Sequence, residues 1–179
     1  LAAFLLLLHF YEFSANVRES VLGTLLILPL SVFVITEIFS LFNALTHTVI
    51  VVYWIIADSL FLFFKRKTLK QTAVDFFADL KRILSANKYY SLLICSILIA
   101  LAFLCYFVPP NNNDSMLYHM ARIPYWIINK NVNFFPTMVG MQLYYNPLAE
   151  YQILHLELLT NTIRYANFVQ FFAMIGSCI

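Results

Sequence analysis

Charged residues are scarce in this chain, and their scarcity excludes the ordinary soluble domain. Only 11% of the 179 residues are charged, whereas a soluble globular domain carries about 25%. The 3 glycines exclude a collagen-like repeat. The 3 cysteines show neither a disulfide framework nor a metal-binding spacing. Apolar residues are abundant instead, at 62% with a mean hydropathy of +0.79, which indicates an integral membrane protein.

Several functional motifs are missing as well. The sequence contains no glycine-rich phosphate loop, no HExxH metal motif and no basic patch of the kind that binds nucleic acid. We therefore expect no nucleic-acid partner and no dedicated metal site, and we assign no cofactor.

Three segments are long and apolar enough to cross a bilayer, which takes about 20 residues. They are residues 21–45, 46–64 and 89–108. Residues 1–13 and 165–179 are shorter apolar runs that each meet an end of the chain, so we predict that they are partial spans. The expected fold is an all-α integral membrane bundle, and the chain is expected to be a fragment of a longer polytopic protein.

The distribution of basic residues predicts the orientation of these spans. Residues 65–88 hold 7 of the 11 lysines and arginines and only two acids, Asp75 and Asp79, which is typical of a cytoplasmic loop. Alternation of the spans then places residues 109–164 outside the membrane. Within the cytoplasmic segment, residues 74–84 have an amphipathic pattern that favours either a helix on the anionic inner leaflet or a solvated connector.

Residues 109–164, which we call the outer segment, are too long and too aromatic for a simple connector between two spans. Asn113 or Asp114 is expected to N-cap a helix that runs to about Asn129. Residues 130–145 are expected to be irregular. A second helix is predicted to start at Asn146-Pro147 and to reach about Leu159.

Asp114 is the first candidate for a functional residue. It stands just past the outer end of a span, at the start of a predicted helix whose dipole favours a negative charge. A carboxylate there, with His119 and Arg122 one and two turns on, can meet both a lipid-borne phosphate and a water-borne hydroxyl group. The alternative interpretation is that Asp114 is only a helix cap.

The outer segment resembles part of a bacterial family of polytopic membrane glycosyltransferases. The similarity covers residues 109–177. Its most specific part is the pattern N-N-x-D-S-x-x-Y-H-x-x-R, represented here by Asn111, Asn112, Asp114, Ser115, Tyr118, His119 and Arg122. It continues through Phe135-Pro136-Thr137, Gln142-Leu143-Tyr144, Pro147-Leu148-Ala149-Glu150 and Arg164-Tyr165-Ala166-Asn167.

That family is similar to the GT-C glycosyltransferases, which include the dolichyl-phosphate-mannose protein mannosyltransferases. The resemblance implies a GT-C-like helix bundle with surface helices on a long outer loop. It also implies a polyprenyl-phosphate sugar donor and an envelope acceptor, which is a glycan, a lipid or a protein. The enzyme would lie in the bacterial inner or plasma membrane, among membrane lipids, with its active loop extracytoplasmic.

Seven residues are candidates for the site. By the resemblance, Asp114 occupies the position of the catalytic acidic residue and would act as the base in an inverting transfer. Candidates in the outer segment for binding donor phosphate or substrate are Tyr118, His119, Arg122, Gln142 and Glu150. Glu37 is added because an acidic residue inside a predicted span is a functional candidate by default. The alternatives are a lipid-headgroup contact for Arg122, a packing role for His119 and a favourable interaction with the helix dipole for Glu150. A divalent ion that bridges Asp114 and the phosphate is left open. Met141 stands where the family commonly has a basic residue, and no second acid adjoins Asp114.

Two other classes of function are compatible with the same sequence. A transporter or flippase of lipid-linked sugars would show repeated halves and broken helices, of which the spans give little sign. A non-catalytic membrane scaffold would use the outer segment to bind a partner, with Asp114 as a cap.

Overall fold

The computed structural model describes residues 1–178, and every regular element in that range is helical. The α-helices are α1 (Ala2–Ser14), α2 (Val17–Leu41), α3 (His47–Ala86), α4 (Lys88–Phe107), α5 (Met120–Asn129), α6 (Met141–Tyr144), α7 (Leu148–Thr160) and α8 (Ala166–Cys178). A π-helical turn, Ser115–His119, precedes α5, and a 3₁₀ turn, Ile163–Tyr165, precedes α8. The all-α prediction is confirmed for the described residues, and the end of the predicted last span, Ile179, lies outside them.

Three of these helices, α2, α3 and α4, are long and apolar enough to cross a membrane. They correspond to the three predicted complete spans, and they are compatible with a membrane protein. Helix α2 ends at Leu41. Two residues later the chain turns at Asn43, which has a φ of 51°. Thr46 then caps α3 by accepting a hydrogen bond from the backbone N–H of Val49 at 3.4 Å.

Helix α3 is much longer than the predicted span, because it continues without interruption to Ala86. Its second half packs on α1, where Phe76 is buried against Leu8 and Tyr11. The Tyr11 hydroxyl donates to Asp79 at 2.5 Å. The amphipathic pattern seen in the sequence therefore belongs to a helix that covers α1 with one face and leaves the other exposed.

Helices α1 and α2 approach closely at Gly23. A methyl group added there would lie 2.9 Å from the Phe10 ring, so only glycine fits at this crossing without a shift of Phe10. Small residues in such positions let helix backbones come together where no hydrophobic effect drives them.

The outer segment shares one core with the ends of α2 and α3. Its α5 and α7 contribute Ile123, Trp126, Tyr151, Leu154 and Leu158, which pack with Val32, Leu45 and Ile50. Backbone contacts join the same parts: Leu45 N–H donates to the carbonyl of Lys130 at 3.1 Å, and Val132 N–H donates to the Ser40 hydroxyl at 2.9 Å. These contacts fix α5 and α7 over the ends of α2 and α3.

The predicted helix of the outer segment ends at Asn129, as expected, but its cap differs from the prediction. Asn112, and neither Asn113 nor Asp114, accepts the hydrogen bond from the backbone N–H of Ser115, at 2.7 Å. Asp114 already has helical dihedral angles, φ −64° and ψ −44°, whereas a capping residue lies outside the helical region. The interpretation of Asp114 as a helix cap is therefore wrong.

Candidate functional site

Glu150 lies at the centre of a buried polar cluster between α5 and α7. Its side chain is 0% exposed in the first turn of α7. His119 Nδ1 lies 2.8 Å from Glu150 Oε1, and Arg122 Nη1 lies 3.3 Å from the same oxygen. One carboxylate oxygen thus holds two side chains spaced at i and i+3, His119 at the end of the π-helical turn and Arg122 in α5.

Arg122 is 1% exposed; both of its terminal nitrogens have partners within the protein, and its buried Nε has none among residues 1–178. Nη1 donates to the carbonyl of Tyr145 at 3.0 Å, and Nη2 donates to the carbonyl of Met141 at 2.5 Å. The guanidinium also lies 6.0 Å from the ring centroid of Trp126. A direct bidentate contact with a donor phosphate would require these bonds to be exchanged, and that role stays a prediction.

Gln142 connects α6 to the π-helical turn. Its amide nitrogen donates to the carbonyl of Leu117 at 2.7 Å, and its amide oxygen accepts from the Thr137 hydroxyl at 2.8 Å. At 9% exposure the side chain has both polar atoms paired. In this arrangement Gln142 positions the turn that carries Tyr118 and His119.

Tyr118 lies beside two of the candidate acids. Its ring packs edge-on against Tyr145, with centroids 5.2 Å apart. Desolvation raises the pKa of the Tyr118 hydroxyl, and the negative charges of Asp114 and Glu150 raise it further. Both carboxylates therefore lie within electrostatic range of the hydroxyl, which remains protonated and can donate a hydrogen bond.

Asp114 is exposed at the start of this helix and has no hydrogen bond or ion pair with any residue in the described range 1–178. Its carboxylate is therefore free to contact another molecule. His119 is the other accessible member, with 36% of its side chain exposed while Nδ1 faces Glu150. The Nε2 atom is the one left to face a substrate.

Glu37 is hydrogen-bonded to Tyr151, the residue after Glu150. The Tyr151 hydroxyl donates to Glu37 Oε1 at 2.6 Å. Burial and this hydrogen bond both raise the pKa of Tyr151. Glu37 thus ties α2 to α7 next to the cluster, although it makes no contact with Glu150 itself.

His155 is a buried polar residue whose contacts the sequence did not predict. Trp54 Nε1 donates to His155 Nδ1 at 3.3 Å, so the ring proton lies on Nε2, which is 2.9 Å from the Thr36 hydroxyl. Burial lowers the pKa of His155 to about 4, and the ring is neutral. It joins α7 to α2 and α3, and no periodic pattern in the sequence marks it for that contact.

Five of the seven predicted residues are therefore brought together in the outer segment: Tyr118, His119, Arg122, Gln142 and Glu150. Asp114 is exposed just before the π-helical turn, and Glu37, which is exposed on α2, is joined to Tyr151. Among residues 1–178, no three His, Cys, Asp or Glu side chains are grouped as a metal site would require.

Comparison with known proteins gave no match to any family model, to any curated protein or to any solved structure.

Proposed function

We propose that this chain is part of a GT-C-type membrane glycosyltransferase that moves a sugar from a polyprenyl-phosphate donor to an envelope acceptor. The observation that supports it best is the free carboxylate of Asp114. It is exposed at the start of the outer helix, it makes no side-chain capping bond, and its charge is close enough to Tyr118 to raise the pKa of that hydroxyl. A carboxylate with no structural partner is suited to a chemical role.

In the proposed step, the acceptor oxygen attacks the anomeric carbon of the sugar. The bond from that carbon to the phosphate oxygen breaks, and the acceptor proton passes to Asp114. Attack from the face opposite the phosphate inverts the anomeric centre. The polyprenyl phosphate leaves with the electron pair of the broken bond.

The leaving phosphate needs electrostatic stabilisation more than it needs a proton. Tyr118 can donate its hydroxyl proton, since desolvation and neighbouring carboxylates raise its pKa. His119 can donate from Nε2 when its imidazole is doubly protonated. Glu150 holds Nδ1 of that ring in place, and Arg122 balances the charge of Glu150.

A transfer assay with the full-length protein in proteoliposomes tests this proposal. Labelled polyprenyl-phosphate sugars and an envelope extract are supplied to wild type, Asp114→Asn and Glu157→Gln. Glu157 lies in α7 outside the cluster and is the matched acidic control. We expect Asp114→Asn to lose at least about a hundredfold in rate, as general-base loss does, and Glu157→Gln to keep the wild-type rate.

Two results would count against the proposal in different ways. Equal transfer by Asp114→Asn and wild type would remove Asp114 from the mechanism while keeping the enzyme class. Absence of transfer by folded wild type across a broad donor panel would overturn the class itself.

A further inference from the structure

A groove lies at the junction of α3 and α4, and none of its lining residues belongs to the outer segment. It has a volume of about 450 Å³ and is lined by Phe77, Leu80, Lys81, Leu84, Ser85 and Lys88. These positions recur at the spacing of one helical face. The groove is therefore open to the surface, with an apolar wall and two lysines.

The apolar wall is only partly covered by the rest of the described chain. Phe77 is 53% exposed and Leu84 is 39% exposed. Phe76 on the neighbouring face is 4% exposed because it packs on α1. Leu80 also packs against α1, and the Phe77 ring stacks on Phe4 with centroids 6.4 Å apart. The surface that remains available to an apolar ligand is therefore the exposed part of Phe77 and Leu84.

The charge of the groove is unbalanced. Neither Lys81 nor Lys88 forms an ion pair with any residue between 1 and 178, whereas the adjacent Arg82 pairs with Asp79 at 3.1 Å. Residues 65–88 as a whole carry 7 basic residues against 2 acids. A ligand that complements both features is negatively charged at one end and apolar along its length.

The groove also lies where a lipid headgroup would be found. Lys88 is the first residue of α4, one of the membrane-length helices. Tyr89 and Tyr90 follow it, 85% and 72% exposed. Tyrosines at the start of a span are typical of the level of the headgroups.

We infer that this groove binds an anionic glycerophospholipid of the inner leaflet. Its phosphate lies between Lys81 and Lys88, and an acyl chain lies along Phe77 and Leu84. The inference is independent of the reaction proposed for the outer segment, since none of these residues belongs to that cluster. The lipid would hold the end of α3 at the membrane surface.

Native mass spectrometry of the full-length protein, released from nanodiscs with equal phosphatidylglycerol and phosphatidylcholine, tests this inference. The variant Lys81→Gln/Lys88→Gln removes the two groove lysines. The control Lys67→Gln/Lys70→Gln removes the same charge from exposed positions of α3 outside the groove. All four lysines are exposed, and circular dichroism verifies that each variant keeps its helix content.

We expect wild type to retain phosphatidylglycerol in preference to phosphatidylcholine. The groove variant should bind phosphatidylglycerol at least about tenfold more weakly, because each lysine near an anionic lipid surface contributes substantially to affinity. The control variant should bind it as wild type does. Equal weakening in both variants, or no lipid preference in wild type, would overturn a specific site.

A third variant, Leu84→Asn, tests the position of the acyl chain. It should lower retention of phosphatidylglycerol while both lysines remain. Retention equal to that of wild type would contradict the placement of the chain in the groove.

Discussion

Arg122 and Glu150 form an ion pair that is almost completely removed from solvent, with Nη1 3.3 Å from Oε1 and exposures of 1% and 0%. Burying two charges is costly unless further hydrogen bonds satisfy them. Here Arg122 also donates to the carbonyls of Met141 and Tyr145, and Glu150 also contacts His119. The compensation is incomplete, because Arg122 Nε and Glu150 Oε2 are buried without a hydrogen bond to residues 1–178. The contacts that are made nevertheless join α5, α6 and α7 into one unit.

Replacing one member of this pair should destabilise the protein strongly. In Glu150→Gln the guanidinium of Arg122 stays buried without a countercharge, at an expected cost of about 3 kcal/mol. For a chain of this length that corresponds to a fall of about 10 °C in the thermal midpoint. Circular dichroism of the protein in detergent measures the midpoint.

Glu157→Gln is the control for that experiment, since it makes the same chemical change in the same helix. Burial raises the pKa of Glu157, so its charge opposes folding and its loss should not lower the midpoint. If both variants had the wild-type midpoint, the Arg122–Glu150 pair would not stabilise the outer segment.

The capping assignment leads to a second prediction. Asn112→Ala removes the acceptor for the Ser115 N–H and should cost about 1 kcal/mol. Asp114→Ala removes no hydrogen bond among the described residues and should leave stability unchanged within about 0.5 kcal/mol. The thermal midpoints of the two variants distinguish these expectations. A larger decrease in midpoint for Asp114→Ala than for Asn112→Ala would show that Asp114 caps the helix.

His155 should make stability depend on pH in a defined range. Its pKa is about 4 in the folded protein, against about 6.5 in the unfolded chain. Between these values the unfolded state binds more protons, so the free energy of unfolding decreases as the pH falls from 6.5 to 4. The expected loss is about 3 kcal/mol, measured as the thermal midpoint at several pH values.

His155→Gln isolates this contribution, because glutamine can keep a donor and an acceptor in the same place but does not titrate. Between pH 7 and 4 the thermal midpoint of this variant should fall less steeply than that of wild type. Carboxylate titrations affect both proteins equally, so they cancel when one curve is subtracted from the other. Parallel curves for the two proteins would show that His155 is not the residue responsible.

A fourth prediction concerns the contact between Glu37 and Tyr151. The 2.6 Å hydrogen bond joins α2 to α7 and accepts on a carboxylate, which makes it stronger than a bond between neutral groups. A double-mutant cycle with Tyr151→Phe and Glu37→Gln should give a coupling free energy of about 1–2 kcal/mol. Additive effects of the two changes would mean that the bond does not form in the folded protein.

Several helices could be predicted closely because local signals mark their ends. The charge-free run at 89–108 corresponds to α4, Lys88–Phe107. The helix predicted to end near Asn129 does so, at a residue followed by Lys130 with a φ of 57°. Asn146 was expected to be the N-cap of α7, but the cap is Pro147 and the first helical residue is Leu148. Asn146 still accepts from the backbone N–H of Leu148 at 3.0 Å, so the predicted start is wrong by one residue.

Other features could not be predicted because they depend on tertiary contacts. Helix α3 extends past its apolar half because α1 provides a surface for its amphipathic half. The contact of His155 with Thr36 and Trp54 joins residues about 100 positions apart in the sequence. Arg122 can be buried because its guanidinium donates to the carbonyl of Met141 in α6. This short helix lies in the segment that was expected to be irregular.

The core shared by the outer segment with α2 and α3 has a consequence for biosynthesis. Ile123, Trp126 and Leu154 pack in one core with Val32, Leu45 and Ile50. Helices α2 and α3 emerge from the ribosome first, so their side of the core is synthesised before α5 and α7. Expressed by itself, the outer segment would leave these side chains without their partners from α2 and α3.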